Sequence, residues 1–150
     1  MNANSCLIEF YNNYDEDNRL ILKYGTIEFL TTMHYIEKYV KPGARILEIG
    51  AGTGRYSHAL ARQGYTVDAV ELVEHNIDIF KKNTQPDEHI TIVQGNALDL
   101  SAFSENQYDI TLLLGPLYHL YTVTDKQQAL SEAIRVTKAG GIIFAAYVIS

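Results

Sequence analysis

A doubly wound parallel sheet with helices on both faces, an α/β fold, is predicted by three observations. Strand-like and helix-like segments alternate through the chain after residue 43, which is the pattern of βαβ units. The strand-like segments are near-continuous apolar runs, as in strands covered on both faces. The residues that break those runs are Gly50 to Gly54, Glu71, Asn96-Ala97 and Leu114-Gly115-Pro116. All stand at the C-terminal ends of the runs, where such sheets bind ligands.

Residues 1 to 25 have no clean period. Short helical turns are predicted around Leu7–Tyr11 and Arg19–Tyr24. The tyrosine- and acid-rich stretch from Tyr11 to Arg19 reads either as a solvated leader or as a lid, since tyrosines can bury a ring and keep the hydroxyl wet. From Thr26 to Tyr39, Phe29, Met33, Ile36 and Val40 fall on one helical face, and Lys41-Pro42-Gly43 ends the helix. His34 lies beside that stripe and reads as a packing residue. Residues 1–43 are thus expected to form a helical lid or cap, and 44–150 the core of a single domain.

The first strand is expected at Ala44 to Ile49 and the next helix at Arg55 to Gln63, with Gly64 as its C-terminal stop. The second strand is Tyr65 to Glu71, interrupted by Asp68, for which sequence alone offers no account. A helix follows from Glu74 to Asn83 with Ile77 and Phe80 inward, then a turn at Gln85-Pro86-Asp87. The third strand is Ile90 to Val93. Leu98 to Asn106 is a loop with a short helix, and Tyr108 to Leu114 is the fourth strand. Thr124-Asp125-Lys126-Gln127 reads as a capping box opening a helix over Leu130, Ala133, Ile134 and Thr137. Ala139-Gly140-Gly141 closes that helix, and Ile142 to Val148 is the fifth strand.

Composition sets outer bounds. The 150 residues suit one domain. A net charge of −6 argues against a nucleic-acid binder held by phosphates. The single Cys6 excludes an intrachain disulfide or a cysteine-rich zinc site, and no metal site is expected. No apolar run approaches the ~20 residues that span a bilayer, and the N-terminus lacks the features of a signal peptide. A cytoplasmic protein without a membrane partner is the expectation.

The run from Ile46 to Tyr56 organises the chain. A buried strand meets glycines at 50, 52 and 54, and an amphipathic helix follows. Glycine is needed where backbone takes positive φ or lies against a ligand. Glu48, inside the apolar strand, is costly unless something pairs with it. The dinucleotide fingerprint needs glycine at the first, third and sixth places, but the sixth here is Arg55. The P-loop pattern fails too, since no Gly-Lys-Ser/Thr follows.

Glu71 ends the second strand ~20 residues past the loop, where an acid can accept both hydroxyls of a ribose. Asn96 offers a donor and an acceptor to an adenine edge, with the N–H of Ala97 beside it. If an acceptor must lose a proton, His119 is the candidate base and Tyr118 the second.

Glu48-Ile49-Gly50-Ala51-Gly52-Thr53-Gly54 resembles the first motif of class I S-adenosylmethionine-dependent methyltransferases. With Glu71, Gly95-Asn96-Ala97, the strand ending in Gly115-Pro116-Leu117-Tyr118-His119, and Ala139-Gly140-Gly141, the resemblance covers residues ~44 to 148. It is strongest to the small-molecule branch related to quinone-biosynthesis C-methyltransferases. An Asp commonly stands in that family where Asn96 stands here. The resemblance implies a Rossmann-like fold, S-adenosylmethionine as cofactor and a small-molecule acceptor. It implies that the backbone of Gly50, Ala51 and Gly52 lines the methionine part, with Glu48 and Gly54 at the ends of the loop. It further implies a carbonyl from Leu114 or Gly115 to the amino group, Leu72 beside Glu71 in the nucleoside site, and Tyr11 and Tyr14 closing over the cofactor.

The absence of Asn/Asp-Pro-Pro-Tyr/Phe after the fourth strand argues against methylation of nucleic-acid bases. The family sheet normally continues past the fifth strand with an antiparallel pair that this sequence lacks. Either the chain is truncated, which is the favoured expectation, or a second copy covers the sheet edge as a homo-oligomer. Rival readings are a cofactor-binding module without turnover, a nucleotide-linked oxidoreductase and an RNA methyltransferase.

Overall fold

A computed structural model describes residues 23 to 147 together with Ser5, Ile8 and Glu9. Of the turns expected around Leu7–Tyr11 and Arg19–Tyr24, Ile8, Glu9, Lys23 and Tyr24 are described and are helical, while the remaining residues, with Tyr11, Tyr14 and Val148, lie outside the described residues. Helix α1 spans Lys23–Tyr39, β1 Arg45–Ile49, α2 Arg55–Arg62, β2 Thr66–Glu71, α3 Glu74–Asn83, β3 Ile90–Gln94, β4 Tyr108–Leu113, α4 Val123–Val136 and β5 Thr137–Ala145. A single 3-10 turn, Pro116–Tyr118, follows β4. The five strands are all parallel, in the order β3-β2-β1-β4-β5. The doubly wound α/β fold expected from the apolar runs is therefore present, and among the described residues no antiparallel strand extends it.

Alternation along the strands assigns the two faces. Ile46, Val67, Ile110 and Leu112 pack with Met33 and Ile36 of α1 and with Leu60 and Ala61 of α2. Ala69 and Ala51 pack with Phe80 of α3. Leu47, Ile49, Val70 and Leu113 face the other way, onto Ala129, Ala133 and Val136 of α4. Gly64, at φ 93, ends α2 as expected, its N–H bonding the Ala61 carbonyl at 3.0 Å. His34 is exposed, its ring edge-on to Tyr35 at 5.6 Å, so it is no core packing residue.

Three further expectations are corrected. No helix forms over 98–106. The side chains of Asn96 and Asp99 accept from the N–H groups of Leu98 and Ser101, both at 3.0 Å, and such turns compete with helix. Arg135 then pins the loop through the carbonyls of Phe103 and Leu100. The cap of α4 is Thr122, whose hydroxyl accepts from Asp125 N at 3.0 Å, and the helix starts before the box expected at Thr124. Finally, Ala139-Gly140-Gly141 does not close that helix. The chain enters β5 at Thr137, opposite Tyr108, and rejoins the register at Ile142 opposite Ile110. Residues 138 to 141 bulge out past Asp109. Gly141 allows this, because a Cβ there would lie 2.9 Å from the Asp109 carbonyl oxygen.

Asp68 now has its account. Its carboxylate accepts from Thr91 Oγ1 at 2.6 Å, Tyr108 OH at 2.7 Å and Arg45 Nη2 at 2.9 Å. One acid thus ties β1, β2, β3 and β4 together near their N-terminal ends. Burial raises its pKa, but those three hydrogen bonds outweigh burial and hold it below the usual carboxylate range.

Candidate functional site

The glycine loop between β1 and α2 is built by three residues in the left-handed region, Gly50 at φ 72, Gly52 at φ 59 and Gly54 at φ 94. The N–H groups of Gly50, Ala51, Gly52 and Gly54 are spent inside the protein. Gly50 N and Ala51 N both donate to the Val70 carbonyl, at 2.8 and 3.0 Å, and Gly54 N donates to Ala51 O at 3.0 Å. Gly52 N donates to Glu71 Oε2 at 2.7 Å. A pyrophosphate would need those N–H groups turned outward. The loop presents bare backbone and a carboxylate instead, so the oxidoreductase rival lacks its anion cradle.

Glu71 is the hinge of the arrangement. It ends β2 at 5% exposure, and its Oε1 accepts from Val73 N at 2.9 Å and more weakly from Asn76 Nδ2 at 3.5 Å. Its own carbonyl accepts from Gly95 N at 3.0 Å, which brings the tip of β3 alongside. A carboxylate has about four acceptor directions; Gly52 and Val73 take two at full strength and Asn76 a third weakly, which leaves room for a ribose hydroxyl. Burial pushes the Glu71 pKa up against the lowering effect of these N–H donors. Leu72 is half-buried, and its carbonyl accepts from Gln94 Nε2 at 3.1 Å.

Glu48 is 3% exposed on β1, and the partner it needs is Ser57. Its Oε2 accepts from Ser57 N at 3.0 Å and from Ser57 Oγ. Helix α2 begins after Gly54, which has no side chain to cap it. The Glu48 carboxyl supplies from the preceding strand the acceptor that an N-cap side chain would give. It also ties together the two ends of the glycine loop. Burial raises its pKa to about 8, opposed by the Ser57 hydrogen bonds and reinforced by the negative charge of Glu71.

The remaining loop residues answer internal demands. Ala51 is buried against Ala69 and Phe80, so only its backbone can serve a ligand. A Cβ on Gly54 would lie 2.4 Å from Phe80 Cδ2 and 2.8 Å from His58 Cδ2. A Cβ on Gly50 would lie 2.5 Å from Pro116 Cγ. That contact joins the tip of β1 to the turn after β4, where the strand order reverses.

At the tip of β3, the Asn96 side-chain oxygen accepts from Leu98 N and its carbonyl from Asp99 N at 3.0 Å. The oxygen assigned from sequence to an adenine amine thus accepts one bond from its own loop and keeps its second lone pair. Ala97 is buried beside it in the core cluster under α4. Leu114 is half-buried past the end of β4, and the Gly115 carbonyl accepts from Tyr118 N at 3.1 Å. Tyr118 is 40% exposed. His119 is half-buried, its N–H donating to Pro116 O at 3.0 Å. The tips of β1, β2, β3 and β4 thus converge, with Tyr118 and His119 on the turn beside them.

Ser57 and Asn76 were missed. Ser57 lies three places beyond Gly54, at the helix position whose N–H wants an acceptor, and Glu48 was the sequence's other hint. Asn76 carries no local signal, since its partner lies on another element. Among the described residues no cluster of three or more His, Cys, Asp or Glu could hold a metal ion. No helix among them is long and apolar enough to cross a membrane.

A family model described as a methyltransferase domain matches residues 47–145. The demethylmenaquinone methyltransferase of Lysinibacillus sphaericus is 31% identical over 136 residues, covering 87% of this chain and 55% of that protein. The crystal structure of the PH0226 protein of Pyrococcus horikoshii matches with a TM-score of 0.77 at 21% identity, over 90% of this chain and 63% of that one. A putative S-adenosyl-L-methionine-dependent methyltransferase from Methanococcus maripaludis matches with a TM-score of 0.67 at 26% identity, over 77% and 53%. The chain spans about half the length of the curated relatives it matches. These findings bear out the resemblance read from Glu48 to Gly54, and with it S-adenosylmethionine as the cofactor.

Proposed function

Because the chain belongs to the methyltransferase domain family, we propose that its strand tips bind S-adenosylmethionine and direct methyl transfer to a small, apolar acceptor of the quinone type. The observation that carries the reading is Glu71, an acid at the end of β2 clasped to the glycine loop through Gly52 N. That geometry, a carboxylate next to bare backbone, supports a grip on a ribose. The relative named for demethylmenaquinone supports the acceptor class. The net charge of −6 supports a small molecule over nucleic acid.

When bound, S-adenosylmethionine supplies a methyl group activated by a positively charged sulfur. The work left to the chain is orientation and exclusion of water, which can supply about 7–11 kcal/mol of a barrier. Glu71 holds the sugar, the loop from Gly50 to Gly52 supports the tail, and Pro116 fixes the turn carrying Tyr118 and His119 against the loop. His119 stands as the base for an acceptor that must lose a proton. Tyr11 and Tyr14 would close over the ligand from the N-terminal segment.

Calorimetry with S-adenosylhomocysteine tests the reading. Glu71→Ala should bind about 10- to 100-fold more weakly than the parent chain, the worth of one or two charge-assisted hydrogen bonds. Equal affinities would remove the ribose assignment. Transfer of labelled methyl to demethylmenaquinone tests the acceptor class.

A further inference from the structure

We propose that Glu48 carries a proton in the cofactor-free protein and gives it up when a cation settles against the glycine loop, so that cofactor binding is coupled to pH. The proposal rests on the cofactor reading above and deepens it.

Its footing is the pairing of two buried acids. In the register of β1 and β2, Glu48 stands opposite Ala69, and Glu71 is two places further along. Alternation therefore puts both carboxyls on the same face of the sheet, the one covered by α1, α2 and α3. The hydrogen-bond donors to them among the described residues are uncharged: Ser57 to Glu48, and Gly52, Val73, Asn76 and the Leu72 backbone to Glu71. Burial out of water is the main cost of ionising Glu48, and the negative charge of Glu71 on the same face adds a smaller one, so Glu48 is cheaper neutral.

The distribution of donors points the same way. Glu71 is served on both oxygens, by Gly52 on Oε2 and by Val73 and Asn76 on Oε1. The donors to Glu48 both come from Ser57 and both fall on Oε2. Glu71 is thus the better-solvated anion and Glu48 the proton carrier, although burial raises the pKa of both acids. The other titratable group facing Glu48 is Tyr56 on α2, whose own surroundings include Arg55 and Glu28. On its β4 side Glu48 pairs with Leu112, next to Thr111, neither of which titrates.

S-adenosylmethionine brings two cationic groups, a sulfonium and an α-ammonium. A positive charge beside the acid pair favours the doubly ionised form, and the proton leaves to solvent. The balance is one proton released per cofactor bound, with no redox change.

The test is titration calorimetry of the full chain with S-adenosylmethionine at pH 7 in phosphate and in Tris, buffers with very different ionisation heats. The wild type should release close to one proton per site, and its affinity should rise up to about tenfold per pH unit between pH 6 and 7.5. The α-amino group of the ligand titrates near pH 8 as well. The release is therefore read as the difference from Glu48→Gln, which keeps an acceptor for Ser57 but has no proton to lose. Should Glu48→Gln fail to fold, the slope of wild-type affinity against pH carries the test alone. Identical wild-type heats in both buffers with a flat affinity profile overturn the proposal and leave the cofactor site standing. So does a Glu48→Gln chain that releases as many protons as the parent. Absence of binding at every pH overturns the cofactor reading and the proposal with it.

Discussion

Gly54→Ala should destabilise the fold by about 3 kcal/mol and lower the thermal midpoint by about 10 °C. Two costs add. At φ 94 the backbone is left-handed, which an alanine adopts at about 1–2 kcal/mol. The new methyl would also lie 2.4 and 2.6 Å from two ring carbons of Phe80 and 2.8 Å from His58. Neither ring can retreat easily. Phe80 is fully buried between Ala51 and Ala69, and His58 is tied through Nδ1 to Glu88 at 2.7 Å. Gly64→Ala is the control. It shares the positive φ of 93 but has nothing within 4 Å of a Cβ, so it should cost about 1 kcal/mol. Thermal melts of both variants check the pair. Equal losses would mean that Phe80 and His58 do not confine the start of α2.

The second large effect is a stability that falls as the solution becomes more alkaline. Glu48 has its pKa raised from 4.5 to about 8 in the folded chain. A raised acid contributes stability that is fully present below the unfolded value and is lost as pH climbs through the folded one. The loss should be on the order of 4 kcal/mol between about pH 5 and pH 8, and Glu71 adds to it in the same direction. Asp68, Asp109, Glu88 and Glu132 are shifted down. Their contribution is present above the unfolded carboxylate range and disappears in acid. The two groups together place maximum stability of the cofactor-free chain near pH 5. Urea unfolding at several pH values should show it, and Glu48→Gln should flatten the alkaline limb. A wild-type profile level from pH 5 to 8 would contradict the burial of an ionisable Glu48.

How much of this was visible in the residues depends on distance along the chain. The glycines at 50, 52 and 54, the stop at Gly64 and the acid at the end of β2 announce themselves, because each acts within a turn or at a strand end. The five apolar runs specified a parallel sheet for the same reason. What stayed hidden was made by contacts across the fold. Asp68 looked like a flaw in β2 until Tyr108, 40 residues on, and Thr91 and Arg45, 23 residues away, were seen to bond it. Glu88, just after the turn at Gln85-Pro86-Asp87, gave no signal of its own, yet it joins His58 and Arg62 under α2. The bulge at 138–141 was masked by glycines that mimic a helix stop. At the site, sequence located the glycine-loop backbone and the acid at the end of β2. It did not show that Ser57 would bind Glu48, nor that the Asn96 oxygen would also accept from its own turn.

The central claim is that a nucleoside with a cationic tail lies across the tips of β1, β2, β3 and β4. The most direct measurement is an amide-resolved NMR titration of the chain with S-adenosylhomocysteine. The shifts should concentrate at Gly50 to Gly52, Leu72, Asn96-Ala97 and Gly115, four segments far apart in sequence that the sheet brings to one end. Shifts gathered at the opposite, N-terminal ends of the strands around Arg45, Asp68 and Tyr108, or none at all, would contradict it.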